Sequence, residues 1–253
     1  TDRSVSAPNA GGLVARKAPW PRRHAHRQEP QHFSYLTGVL FDITIRTLHG
    51  TFWLRPDAAC RAIVNGVLGK ALSLYKSVRL HVFGAQSNHL HYLLSATKPA
   101  EIPLFLDYVH GNIARQINKL RGRTGTFWSR RGAVIAVIDE GAQLARFRYI
   151  VAQGTAAGLV VSPKEWTGAS STAALLGDMR VTATYTSLDA ARRNAQRAKP
   201  RPASELAEDV SFTLAPLPAL AHLAPAALRA RHAEIVKDIV ATHRRPAGKV
   251  LGA

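Results

Sequence analysis

His89 and His91 flank a leucine in the stretch Ser87-Asn88-His89-Leu90-His91-Tyr92-Leu93-Leu94. On an extended chain residues two apart point to the same side, so the imidazoles stand together while Leu90, Tyr92 and Leu94 face the other way into packing. Two neutral imidazoles on one strand face make half of a divalent-metal site. The same pattern also arises as two histidines on a wet surface; here a polar turn leads in and an apolar strand leads out, which sets the pair beside a core. The second residue with chemistry to offer is Tyr149, within Leu144-Ala145-Arg146-Phe147-Arg148-Tyr149-Ile150-Val151-Ala152-Gln153. On a helix Tyr149 and Gln153 share a face, and Leu144, Phe147 and Val151 form a buried stripe on another. Ala142 and Ala145 are small enough to leave room around the hydroxyl. A tyrosine so placed also serves as a boundary residue with its ring packed and its tip wet. Phosphodiester cleavage asks for a nucleophile in line with the leaving oxygen and a cation on the non-bridging oxygens. Two imidazoles and an amide oxygen would leave a divalent ion its full charge, and a tyrosine hydroxyl attacking phosphorus would store the bond energy as a phosphotyrosine ester.

The elements that must position these residues follow from periodicity. Val39, Phe41, Ile43 and Ile45 alternate with Leu40, Asp42, Thr44 and Arg46, the period of a strand with one buried face. His49-Gly50 turns the chain, and Pro56-Asp57 starts a helix that runs over Ala58 to Tyr75. A second strand carries Val78, Leu80 and Val82; Gly84 to Asn88 connects it to a third from His89 to Ser95. Glu101 to Leu120 reads as an amphipathic helix with Leu106, Val109, Ile113, Ile117 and Leu120 on one stripe. Arg121 to Gly125 breaks it, Ala133 to Ile138 form a fourth strand, and Asp139-Glu140 start the helix that carries Tyr149 and frays near Gly154. Strand, helix, strand, strand, helix, strand, helix predicts an α+β fold with the sheet in one layer and helices packed on it. Beyond Ser171 the composition shifts to Ala, Pro and Arg, with a Pro-rich linker around 200–218 and a helix from Pro225 to Thr242.

Across 253 residues, 34 Lys and Arg face 16 Asp and Glu, for a net charge of +18. So large an excess points to a polyanionic partner, nucleic acid ahead of a membrane surface, since no run approaches the ~18 apolar residues of a spanning helix. A single cysteine, Cys60, excludes an internal disulfide and a thiolate zinc knuckle and fits a reducing cytoplasm. Residues 1–32 mix small residues with Arg16, Lys17, Arg22, Arg23 and Arg27 without a period, as a mobile basic arm would. Phosphate contacts are expected from Arg115, Lys119, Arg121, Arg123, Arg130 and Arg131, with Arg46 a further candidate and Trp128 free to stack a base. Trp20, Trp53 and Trp166 read as packing residues.

Over roughly residues 33–172 the sequence resembles the single-tyrosine transposases with a His-hydrophobic-His motif, in the branch associated with bacterial repetitive extragenic palindromes (REP). Asn88-His89-Leu90-His91 matches that family's metal-binding strand, and Phe127-Trp128-Ser129-Arg130-Arg131 its Trp-containing stretch before the fourth strand. Tyr149-Ile150, Ala157-Gly158-Leu159-Val160, Trp166 and Ser170-Ser171 match its catalytic helix and exit. The resemblance implies a ferredoxin-like antiparallel sheet in a catalytic domain over 33–172, with a mostly helical extension over 173–253. It further implies a homodimer or a monomer in the bacterial cytoplasm near the nucleoid, and cleavage and rejoining of single-stranded DNA beside palindromic hairpins. On the same basis His89, His91 and Gln153 would hold Mg²⁺ or Mn²⁺, and Tyr149 would become linked to the 5′ phosphate, freeing a 3′ hydroxyl. Where many members have Asn-Pro, this chain has Gln153-Gly154. That departure keeps open a second reading, a hairpin-binding protein of the same family that has lost catalysis. A zinc hydrolase of small molecules would explain neither the charge nor the want of a further His or carboxylate near the pair.

Overall fold

The computed structural model describes residues 38–244 and 251. The basic arm over 1–32, with Trp20, lies outside them. Strand β1 (Leu40–Arg46) leads through a short turn, in which His49 and Gly50 take positive φ, to helix α1 (Ala58–Leu74). The Asp57 carboxylate caps that helix by accepting the Cys60 N–H at 2.7 Å. Strands β2 (Val78–Gln86) and β3 (His89–Ala96) follow, then helix α2 (Glu101–Leu120), strand β4 (Ala133–Val137) and helix α3 (Glu140–Ala156), capped by Asp139. Gly84 to Gln86 belong to β2, so the connection to β3 is the two-residue turn Ser87-Asn88.

The sheet order is β2-β3-β1-β4, antiparallel throughout, which with the chain order βαββαβ is the ferredoxin-like arrangement within the α+β class. Helix α2 covers the Leu90–Tyr92–Leu94 face: Tyr92 Oη hydrogen-bonds His110 Nε2, and the Trp128 indole donates to the His110 carbonyl at 2.9 Å. Helix α1 lies beside α2. Helix α3 adds a cover on the opposite face, where Ile150 packs over Gly84 at ordinary van der Waals distance. Both faces of β1 are thereby buried, and its polar residues Asp42 and Thr44 lie under a helix instead of in water.

The His110 ring stacks on Tyr92 and meets Trp128 at a tilt, and burial pushes its pKa down to about 4. The folded chain thus holds this imidazole neutral while the unfolded chain protonates it near 6.5. The associated stability is complete above pH 6.5 and is lost as pH falls through about 4. Urea midpoints measured from pH 7 to 4 should fall less steeply in His110→Gln, by on the order of 2 kcal/mol over that range.

The remaining chain forms α4 (Thr172–Leu176), β5 (Arg180–Thr186), α5 (Leu188–Ala195), β6 (Ala207–Thr213) and α6 (Pro225–Thr242). Helix α6 spans the expected residues, whereas the stretch read as a Pro-rich linker contains β6. Flanking prolines hid a short period-two signal, Val210 and Phe212 buried between exposed Asp209, Ser211 and Thr213. Strands β5 and β6 pair antiparallel and lie across α1 at two glycines. A Cβ on Gly66 would meet the Thr184 carbonyl oxygen at 2.5 Å, and one on Gly69 the Val210 side chain at 2.7 Å. Because Gly66 abuts backbone, which cannot swing aside, Gly66→Ala should cost about 1–3 kcal/mol in thermal or urea unfolding.

Two stretches of chain close the outer edge of β2. Ala85 N–H binds the Ala169 carbonyl at 2.8 Å and Ser171 N–H the Phe83 carbonyl at 3.0 Å. Ala215 N–H reaches the Leu80 carbonyl at 2.8 Å, and the His81 ring bridges the Pro216 carbonyl (2.8 Å) and Ser95 Oγ (2.9 Å). That edge is satisfied within the chain. No helix among the described residues is long and apolar enough to cross a membrane.

Candidate active site

Register places the two histidines. On β3, His91 lies opposite Thr44 of β1 and Gly84 of β2, and His89 lies opposite Arg46 and Gln86. Their rings stand 5.1 Å apart between centroids, on the sheet face that α3 covers. Helix α3 brings the Tyr149 ring edge-on to His91, with centroids 5.5 Å apart, while leaving the tyrosine 52% exposed. A nucleophile needs this access to a polymeric substrate. One helical turn on, Gln153 is only 8% exposed and its amide lies against the His89 ring, where their hydrogen-bonding interaction counters the effect of burial on that imidazole.

Each imidazole has an oxygen at Nδ1. Asn88 Oδ1 lies 2.7 Å from His89 Nδ1, and Thr44 Oγ1 lies 3.0 Å from His91 Nδ1 against 3.4 Å from its Nε2. The Asn88 contact assigns the proton of His89 to Nδ1 and leaves its Nε2 lone pair as an acceptor, the usual second-sphere orientation of a metal-binding histidine, whereas the Thr44 hydroxyl can donate to or accept from the His91 ring. Burial, chiefly, with the neighbouring His91 and Arg46, pushes His89 down to about 4, and Gln153 acts the other way. The ring is therefore neutral and able to ligate at physiological pH.

Three further residues complete the setting. Asp42 is 3% exposed, with Oδ1 3.8 Å from His91 Nδ1 and Oδ2 3.4 Å from the Arg146 guanidinium on α3. Arg146 sits one turn before Tyr149, so the Asp42–Arg146 pair ties the tyrosine's helix to the strand beside the histidines. Sequence reasoning singled out neither these two nor Thr44. Their signal was present as the polar alternation of β1, Asp42-Thr44-Arg46, in the strand that pairs with the histidine strand. Among the described residues no group of three or more His, Cys, Asp or Glu is placed to share an ion, so a third protein ligand would come from a side chain such as the Gln153 amide. Two imidazole nitrogens and an amide oxygen would suit a borderline ion of the Mn²⁺ class, while Mg²⁺, which favours oxygen donors, would have to draw its remaining ligands from phosphate and water.

Helix α3 does not fray at Gly154 but continues to Ala156. Trp166 seats on that glycine, where a Cβ would meet its ring at 2.9 Å, and is itself fixed by donating from Nε1 to the Ala85 carbonyl at 3.0 Å. Glycine here admits a tryptophan that locks the turn after Gln153.

The other expected contacts are not gathered at the pair. Arg46 is exposed at the His89 end of the sheet, and Ser129 N–H binds its carbonyl at 3.0 Å, which brings exposed Arg130 and Arg131 to the same end. Arg115 bonds Asn112 on the same helix, and Lys119 is exposed. Arg121 pairs with Asp57 at 2.6 Å, and Arg123 bonds Asn118 and stacks over Trp53 at 3.4 Å. Trp128 is half-buried against Phe127 and His110 with its N–H spent, so its ring belongs to the packing of α2. On the same edge of the fold Phe52 is 63% exposed.

The fold is thus a ferredoxin-like α+β sheet carrying a His-x-His pair opposite a helix-borne tyrosine. Solved structures that match it include a REP-associated tyrosine transposase bound to a REP hairpin, at TM-score 0.44 and 12% identity over 74% of this chain and 89% of that one. Another is described as a candidate transposase from Deinococcus radiodurans R1, at TM-score 0.34 and 16% identity over 53% of this chain and 95% of that one. No family model matches the chain, and no curated protein does. Neither structural likeness assigns a function to this chain.

Proposed function

We propose that this chain is a single-tyrosine DNA strand transferase that cleaves single-stranded DNA beside palindromic hairpins. The observation that carries the reading is the exposed Tyr149 ring set edge-on against His91, with the buried Gln153 amide against His89 one turn further along. Tyr149 Oη attacks the phosphorus, the bond from phosphorus to the 3′ oxygen breaks, and the strand remains joined to the protein through its 5′ phosphate. The phenol's proton passes to water on its exposed side, and water protonates the departing 3′ oxygen. Attack of a 3′ hydroxyl on the phosphotyrosine reverses the exchange and joins strands without external energy. His89, His91 and Gln153 would hold a divalent ion whose charge offsets that building on the non-bridging oxygens. Asn88 and Thr44 orient the imidazoles, and the Asp42–Arg146 pair keeps α3 over them. Arg46, Arg130 and Arg131 hold the approaching strand by its phosphates at the His89 end.

The reading is tested by incubating the protein with end-labelled DNA, a hairpin flanked by single strands, and Mn²⁺. On a denaturing gel a protease-sensitive band of retarded label should appear, and chelation should prevent it. Tight binding without any covalent band would instead favour the non-catalytic hairpin binder, which Gln153-Gly154 keeps in view.

A further inference from the structure

The strongest concentration of charge in the described chain lies away from the site. Between β5 and β6, Arg192, Arg193, Arg197, Lys199 and Arg201 put five cations into ten residues with no acid among them. All five are exposed, and among the described residues none has a side-chain hydrogen bond or an ion pair. Elsewhere several cations are paired, as in Lys70–Glu208, Arg121–Asp57 and Arg148–Asp238.

The segment is also built. Asn194, at 8% exposure, donates from Nδ2 to the Arg201 carbonyl and accepts the Arg201 N–H at Oδ1, both at 2.9 Å. That pair of bonds closes residues 194–201 into a fixed loop and holds like charges together against their repulsion. The strands on either side are seated on α1 at Gly66 and Gly69, and Tyr185 bonds Tyr108 of α2 through their hydroxyls at 3.0 Å. Helices α1 and α2 lie on the opposite side of the sheet from Tyr149, so the loop belongs to a different surface from the candidate active site.

We infer that the segment between β5 and β6 is a second nucleic-acid contact surface, one that grips the sugar-phosphate backbone of a double-stranded stem. The choice of nucleic acid as the polyanion rests on the function proposed above. The choice of duplex over single strand comes from composition: single-strand sites interleave cations with aromatic rings on which bases stack, and residues 187–206 contain no aromatic residue. A membrane surface would need apolar side chains to insert beside the cations, and none of the large exposed hydrophobic residues lies in this segment. The active site would thus engage the single strand while the loop holds a stem, on the same molecule or another.

The test replaces all five cations by glutamine and measures affinity for a blunt duplex, an unstructured single strand and vesicles of phosphatidylserine and phosphatidylcholine over a range of salt. Each lost duplex phosphate contact should reduce the slope of log affinity against log salt by about 0.9. Neutralising the loop should make the duplex slope shallower by about 3 and lower duplex affinity at least tenfold, leaving single-strand affinity and the covalent band within about twofold. Asn194→Ala should give a smaller loss of the same kind. Replacing Arg229, Arg231 and Lys237 on α6 controls for net charge. An unchanged duplex slope, an equal loss per charge in the α6 variant, or an effect confined to vesicles would each overturn the proposal. The duplex slope requires no cleavage, so a wild type that forms no adduct, beside a loop variant that still shows this loss, would sink the nuclease reading and leave the loop's role standing.

Discussion

Tyr149→Phe should abolish the covalent DNA band while leaving hairpin affinity within about twofold of wild type. Phenylalanine keeps the ring that meets His91 edge-on and removes only the hydroxyl. Because the side chain is 52% exposed, the fold should lose little, within about 0.5 kcal/mol. The chemical effect is far larger. Loss of a nucleophile commonly costs about 10⁴-fold or more in rate. Fluorescence anisotropy gives the affinity and a denaturing gel gives the adduct. A band that persisted in the variant would remove Tyr149 from its role.

His89→Ala is expected to weaken Mn²⁺ binding about 100-fold or more in calorimetry and to stop cleavage, with hairpin affinity in chelator nearly unchanged. His89 is the cleaner of the two ligands to remove. It is half-buried and bonded at Nδ1 only to its neighbour Asn88, whereas His91 is buried beneath Tyr149 and its loss would disturb packing as well. Asn88→Ala should give a milder form of the same result, about 10- to 100-fold in metal affinity, because it frees the ring to turn without removing the ligand. Equal loss of metal and DNA binding in His89→Ala would mean that the pair serves the fold.

Much of this was legible in the sequence because local and global signals agreed. The cap at Asp57, the span of α6 and the stripe of α2 from Leu106 to Ile117 each matched the tertiary environment they met, whereas Leu120 at the end of that stripe is 39% exposed and β1, expected to bury one face, buries both. The His-x-His spacing and the i, i+4 relation of Tyr149 and Gln153 are fixed by strand and helix geometry, so their clustering needed only that α3 cross the correct face. Asp42 and Thr44 were not legible as site residues. A polar residue that alternates on a strand reads as solvent-facing, and only the docking of α3 turns that face into an interior. The β5–β6 pair escaped notice because the two short strands, β6 among prolines, gain their stability from contact with Gly66 and Gly69, more than a hundred residues earlier. Trp128 went the other way: a tryptophan amid arginines suggests base stacking, yet its N–H binds the His110 carbonyl and its ring packs against His110 and Phe127. Arg121 and Arg123 are likewise engaged within the fold, by Asp57 and by Trp53.

The most direct test of the central claim is peptide mass spectrometry of wild-type protein after reaction with the hairpin substrate and Mn²⁺, followed by nuclease and then protease digestion. The account predicts a nucleotide attached through its 5′ phosphate to the peptide that carries Tyr149, with fragmentation placing the added mass on that residue. A nucleotide on another residue, or cleaved DNA with no modified peptide at any reaction time, would contradict it.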